Sequence, residues 1–392
     1  MTHIFVEKIR EYQEILKSIS IYVVDVETTL ISKDKYKTVY NTPPKYICHG
    51  FLNCTNFDTP SILWNSGNLF DGFKIHRDLL LVGHNISYDT FIASTVAYSG
   101  FKVGVFIWDT MLAEYLLTNQ IERMPSLEQC CENHGIAMRK DEEVAQMMKA
   151  GVCPSTIPKD KLEEYLKGDL LMTKEVFKKQ RELFYQRPPE WQVMFINQMF
   201  FLVNTLRASC NGMKIDWGFV AGNKTTLEAS VAAYEADLKK FMGDKTSTDP
   251  SIWNPASNSD LSVFLYGGIK KWDERVPNGV YKTGIKAGQT KYKIEKREKH
   301  IFPNFDDKGS VDEAALKSCL KDVMSPRRMF DYSEFLEKLI EYKDTNKNLN
   351  TYFEGYMNHA TVDRFIKPKY NHGLTPTGRL TCSGPNLQNI KG

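Results

Sequence analysis

The sequence contains no run of about 18 consecutive apolar residues, the length that a membrane-crossing helix needs. Its opening residues, Met1 to Glu14, mix Lys, Arg and Glu where a secretory leader carries an apolar stretch. None of the eight cysteines is spaced as a CxxC pair: Cys130 and Cys131 are adjacent, and Cys48, Cys54, Cys153, Cys210, Cys319 and Cys382 are scattered. Cys48-His49 with Cys54 lacks the second pair of ligands that structural zinc requires. These absences argue against a membrane-spanning, exported or disulfide-stapled protein and predict free thiols in a reducing, cytoplasmic compartment. There is no internal repeat, and a net charge of +3 is too small to announce a nucleic-acid binder.

What is present is enough apolar material, 42% of 392 residues, for two or three domains with cores of their own. Charge is unevenly placed. Between Ile269 and Asn304 ten Lys or Arg face four Asp or Glu, so the rest of the chain is net negative. Such a run is either a solvated loop or a patch that neutralises phosphates.

Phe5, Ile9, Tyr12 and Leu16 recur at helical spacing and predict a short amphipathic helix. Ile21-Tyr22-Val23-Val24 is a compact apolar run ending in an acid, as a buried strand delivering a side chain to a sheet edge would, and Leu79 to Gly83 reads as a second. Helical periodicity over Asp109–Leu117, Leu127–His134 and Asp160–Leu183 completes a mixed α/β domain over residues 1–187. Pro188-Pro189 marks a boundary. Beyond it, Trp191–Ala208 and Phe219–Phe241 predict long helices broken at Asn211-Gly212, the basic stretch predicts a β-rich tip, and helices resume from Val311 to Tyr356.

Three short stretches carry chemistry. In Asp25-Val26-Glu27, strand alternation puts both acids on one face, where they repel each other unless a cation lies between them. Asp89 closes His84-Asn85-Ile86-Ser87-Tyr88-Asp89, after an apolar strand. Tyr165 precedes Asp169 by four residues, so a helix turns phenol and carboxylate toward one site. Each is weak alone; four acids in this order are not. Hydrolysing a phosphodiester calls for two hard cations about 3.5–4 Å apart, and hard cations favour carboxylate oxygens. Four carboxylates brought together would repel one another, so metals are expected to order the site as well as serve the reaction.

Together these motifs resemble the tyrosine-containing branch of the DEDD exonucleases, and Trp108-Asp109-Thr110-Met111-Leu112 resembles a helix start those domains carry. The resemblance implies a ribonuclease H-like α/β domain, a mixed sheet with flanking helices, in which Asp25, Glu27, Asp89 and Asp169 hold two divalent ions, magnesium or manganese, and Tyr165 positions the attacking water. Ile31, after Leu30, stands where related enzymes wedge a Leu against the terminal base. Asn85 and Tyr88 fall where the primer-end strand is contacted, though an Asn in such a turn is as often a cap.

Thr375 to Ile390, reading TPTGRLTCSGPNLQNI, resembles the TGRLSS…PNLQNI segment of family A DNA polymerases, where the palm opens and touches the minor groove. Arg379, Asn386 and Gln388 are the implied groove contacts, testing base-pair shape through acceptors common to all pairs. Asn211 to Asp216, Trp253 to Ser257 and the segment around Glu341-Tyr342-Lys343 resemble parts of the family's thumb. The expected layout is therefore an exonuclease domain at 1–187, a mainly helical thumb at 188–365 with a basic insert at 269–304, and the start of a palm at 366–392. Lys293, Lys296 and Arg297 of the insert are expected on DNA, or the insert on a processivity factor.

The family's polymerase aspartates and nucleotide-binding helix have no counterpart here, and Lys391 replaces the usual Pro. The expectation is a proofreading part of a split or truncated polymerase, bound to primer-template and to a single-stranded 3′ end. A second polypeptide with palm and fingers would cover apolar Leu380, Leu387 and Ile390. The compact layout resembles bacteriophage replicative enzymes, which would place it in a host cytoplasm. A non-catalytic DNA-holding subunit, or a free-standing nuclease of RNA maturation, are the alternatives.

Overall fold

The computed structural model describes residues 7, 10–14, 16–17, 21–31, 33–54, 59–64, 79–95, 106–305, 309–323 and 332–390. They fall into two compact units, Met1–Ile215 with Gly355–Gly392, and Asp216–Glu354. Among them no helix is long and apolar enough to cross a membrane.

The first unit is built on a five-stranded mixed sheet of order β3-β2-β1-β4-β5. Its strands are β1 (Ile21–Thr28), β2 (Tyr46–Asn53), β3 (Ser61–Trp64), β4 (Leu80–Gly83) and β5 (Phe106–Asp109). β1 is central, antiparallel to β2 and parallel to β4, and β4 is parallel to β5. Every residue of β4, an interior parallel strand, is buried, which is why Leu79 to Gly83 reads as an unbroken apolar run, and every residue of the edge strand β5 is buried as well. β1 runs past its apolar start to Thr28, so the two acids expected at its end lie within it.

Helices α1 (Ser87–Thr95), α2 (Thr110–Leu117), α3 (Leu127–Asn133), α4 (Glu142–Lys149), α5 (Lys159–Tyr185) and α6 (Pro189–Asn211) follow. α5 packs across β1 to β4 and α6 lies against β5 and α1. Trp108 on β5 is fully buried between them, its ring 4.6 Å from Phe195 and 5.2 Å from Phe177, its Nε1 donating to Gln180 Oε1 at 3.1 Å. The helix expected after Pro188 therefore packs on the α/β core, because Phe195, Ile196, Met199, Leu202, Val203 and Leu206 form an apolar stripe at helical spacing. Gly212 ends it at φ +66°, where a Cβ would stand 2.7 Å from the Ile366 carbonyl oxygen. Part of the helix expected over Phe5–Leu16 lies outside the described residues; its Tyr12 and Leu16 are buried.

The second unit joins α7 (Trp217–Thr246), α8 (Asn258–Tyr266), a hairpin of β7 (Gly268–Val280) and β8 (Thr290–Ile301), α9 (Glu313–Val323) and α10 (Ser333–Lys347), which continues as π-helical turns over Asn348–Glu354. Its core gathers Met242, Trp253, Phe264, Phe305, Tyr332 and Phe335. The expected β-rich tip is this hairpin, most of whose side chains are exposed. It is anchored at its root, where buried Lys270 pairs with Asp260 Oδ2 at 2.6 Å over the Trp253 ring.

Back in the first unit, α11 (Gly355–His359) leads to β9 (Phe365–Ile366), β10 (Lys369–Asn371) and β11 (Thr381–Ser383); β9 pairs with β6 (Met213–Lys214) and β10 with β11. Leu380 and Leu387, expected to be exposed, are half-buried by the folding back of this hairpin, whereas Ile390 is exposed. All eight cysteines are free thiols.

Candidate active site

The pleat of β1 buries Val24 and Val26 and leaves Asp25 and Glu27 together on its other face, both half-buried. Asp89 arrives from the first turn of α1, carried there by the turn that follows β4. It is buried, and its Oδ1 accepts from Val26 N at 3.0 Å, which ties the helix start to the strand bearing the first two acids. The Asp25 and Asp89 carboxyls lie near enough that the charge of Asp25 disfavours ionisation of Asp89. Tyr165 and Asp169, one turn apart on α5, are buried as well.

Electrostatics show that these side chains share one environment. Burial first, and then the charge of Asp169, pushes the Asp25 carboxyl up to about 7. Burial with Asp25 and Asp169 raises Glu27 well above the carboxylate range, and burial with Asp25 does the same to Asp89. Asp169 is raised by burial and opposed by a neighbouring cation. Four acids crowded away from water favour protons or cations over bare charge.

That cation is Lys140. Its Nζ donates to Asp169 Oδ2 at 2.9 Å and to Tyr165 OH at 3.2 Å. Lys140, between α3 and α4 and outside every motif, thus supplies positive charge beside acids that were expected to be ordered with the help of metals. Only the fold reveals it, since nothing in the spacing of Arg139-Lys140-Asp141 sets it apart from a surface basic residue.

Among the described residues no three His, Cys, Asp or Glu side chains stand close enough to hold a metal ion together as they are, and this includes Cys48, His49 and Cys54. The donor chemistry of the acidic cluster nonetheless suits a hard cation. Asp169 Oδ1 is buried and has no hydrogen-bond partner, an orphaned anionic oxygen of the kind a divalent ion satisfies.

Around the acids, Leu30 and Ile31 are exposed, 47% and 40%, just past the end of β1. Tyr88 is half-buried, its hydroxyl 2.5 Å from Thr28 Oγ1. Asn85 takes a left-handed conformation, φ 58°, and donates its backbone N–H to Asp109 Oδ1 at 3.1 Å, while Asp109 caps α2. Asn85, Tyr88, Asp109 and Leu112 line a small cleft of about 50 Å³ together with Tyr40, Lys369 and His372.

Other expected contacts lie apart from the acids. Arg379 is exposed between β10 and β11; Asn386 Oδ1 accepts from Gln388 N at 3.0 Å, so that amide already caps the turn at Leu387–Asn389. Lys293, Lys296 and Arg297 are on β8 of the other unit and do not share one face. Lys293 and Arg297 lie on one side, paired with Glu295, and Arg297 also with Glu274; Lys296 lies on the opposite side, across from Asp273.

Residues 298–392 match the model of DNA polymerase family A. DNA polymerase I of Lactococcus lactis subsp. cremoris is 41% identical over 58 residues, 15% of this chain and 7% of that protein. DNA polymerase I of Bacillus subtilis is 33% identical over 64 residues, 16% of this chain and 7% of that protein. The DNA polymerase of Bacillus phage SP01 is 23% identical across 98% of this chain and 44% of its own length. The chain thus spans less than half the length of the curated relatives it matches. Its fold is similar to that of the POL domain of Pol1 from M. smegmatis, solved with a DNA primer-template and dNTP, with a TM-score of 0.60 at 14% identity over 97% of this chain and 54% of that one.

Proposed function

We propose that the first unit carries a 3′→5′ DNA exonuclease site of ribonuclease H-like design within a family A DNA polymerase, and that the second is a thumb that grips DNA. The observation that carries the nuclease reading is the electrostatically coupled cluster of Asp25, Glu27, Asp89 and Asp169, with an unpartnered buried oxygen on Asp169. The match at residues 298–392 supports the polymerase context. In this reading Met1–Ile215, with α6 in its core, proofreads, Asp216–Glu354 holds duplex and residues 366–392 begin the palm.

Magnesium or manganese held by Asp25, Glu27, Asp89 and Asp169 would supply an activated water and stabilise the leaving oxygen. The chain's own residues do the rest. Tyr165 orients the water from its fixed place on α5. Leu30 and Ile31 offer an apolar surface to an unstacked terminal base, a contact tolerant of sequence. Asn85 and Tyr88 hold the strand that leads to it, and Arg379, Asn386 and Gln388 touch the minor groove of the duplex. The hairpin, through Lys293, Lys296 and Arg297, neutralises backbone phosphates. Polymerisation itself is not assigned to these residues.

The test is hydrolysis of a 5′-labelled single strand with magnesium or manganese. Shortening from the 3′ end is expected, and Asp25→Ala with Glu27→Ala should abolish it while duplex binding persists. Undiminished hydrolysis by that double variant would refute this site, and no hydrolysis by the unaltered chain would leave only the DNA-holding role.

A further inference from the structure

Lys140 enters the acidic cluster from the segment joining α3 and α4. Directly after it, Asp141 caps α4 by accepting from Val144 N at 3.0 Å. That cap fixes the backbone path at Lys140, and hence the point from which its side chain extends. The ammonium bridges two residues one turn apart on α5, donating to Asp169 Oδ2 and to Tyr165 OH, and lies 5.4 Å from the centre of the Tyr165 ring. The ion pair is largely out of water, its side chains 21% and 8% exposed, so solvent screens it little.

Two consequences follow from donor chemistry. Lys140 takes one acceptor position of Asp169 Oδ2 and its charge opposes a second cation on that side, whereas Oδ1, buried and unpartnered, is open to one. A fixed positive charge within hydrogen-bond distance of a ligating carboxylate also repels an arriving metal ion. Lys140 therefore sharpens the geometry of the site at some cost in metal affinity.

We propose that Lys140 is a positioning residue of the nuclease site, clamping Asp169 and Tyr165 in one register so that Asp169 presents Oδ1 alone to a divalent cation. This deepens, and rests on, the nuclease reading above. It separates from a merely structural role by sign. A lysine that only supported the fold would, on removal, loosen the acids and weaken metal binding along with hydrolysis; a clamp that also repels the ion would, on removal, let metal bind more tightly while turnover falls.

The experiment is manganese titration calorimetry on EDTA-treated full chain, beside steady-state hydrolysis of a single strand at saturating manganese. Lys140→Met should bind manganese roughly threefold more tightly, as expected for losing one repelling charge. Its kcat should drop by about 10- to 100-fold, the usual effect of losing a partner that orients a ligand, with KM for DNA nearly unchanged. Lys140→Arg, which keeps the charge, should recover most of kcat. Should Lys140→Met not fold, Lys140→Gln gives the same two readings. Weaker manganese binding by the uncharged variant, or an unchanged kcat, overturns the assignment of Lys140 alone. A wild-type protein that shortens no DNA overturns the nuclease reading, and this proposal with it.

Discussion

The Tyr115 hydroxyl donates to the carbonyl of Thr375 at 2.7 Å, joining α2 to the segment between β10 and β11 across 260 residues of sequence. Gly373 lies against the same ring, where a Cβ would stand 3.3 Å from Tyr115 Cγ. The two stretches that the sequence marks most strongly, an acidic α/β domain and a TGRL-type segment, thus share a hydrogen bond within one compact unit. Tyr115→Phe removes the bond and keeps the packing. It should cost about 1 kcal/mol, the net worth of one hydrogen bond, and speed amide exchange across residues 373–379. Equal protection in the variant would show that this bond does not hold the segment.

The metal-free site should respond to pH in a defined direction. Asp25 is pushed from the ordinary aspartate range up to about 7 by burial and by Asp169, with Glu27 and Asp89 raised in the same way. Between the ordinary value and about 7 the folded state holds more protons than the unfolded chain, so these groups' contribution to stability declines as pH rises through that window. In EDTA, Asp25→Asn should melt above the wild type at pH 8, and the gap should close toward pH 4. Manganese should stabilise the wild type more than the variant at pH 8. A gap independent of pH would refute the raised carboxyl.

Phe195 tests whether α6 belongs to the α/β core. The ring is fully buried, 4.6 Å from Trp108 and 5.1 Å from Phe184. Phe195→Ala should cost about 3–5 kcal/mol through lost burial and a residual cavity. Phe219→Ala, at a site 63% exposed on α7, should stay within about 0.5 kcal/mol. Thermal melts of the two variants side by side decide it, and equal losses would contradict the packing.

The hairpin offers two faces, and only one can lie flat on a duplex. Charge reversal of Lys293, Lys296 and Arg297 together should weaken duplex binding and flatten its dependence on salt, by about 0.9 in log–log slope for each phosphate no longer neutralised. Reversing Lys296 alone, against the pair Lys293 and Arg297, then identifies the face. Arg297 is already tied to Glu274 and Glu295, so the pair should cost less than two free cations would. Unchanged slopes in all three proteins would make the hairpin a solvated projection.

Local physics made much of this protein readable in advance. The unbroken apolar runs of β1 and β4, the pleat that pairs Asp25 with Glu27 and the turn of α5 that pairs Tyr165 with Asp169 depend on neighbours two to four positions away, and the residues are visible in the sequence. So are the break at Gly212 and the motif at Thr375 to Ile390. Tertiary packing alone decided the rest. α6 looked like the start of another domain, because an apolar helical stripe does not say which surface it covers. Lys140 looked like any basic residue before a helix, because whether an ammonium meets water or a buried carboxylate depends on groups 25 and 29 residues away. Adjacent basic residues on β8 were read as one patch until strand pairing turned Lys296 away from Lys293 and Arg297. Periodicity acts within a segment and was legible; charge pairing and burial act across the fold and were not.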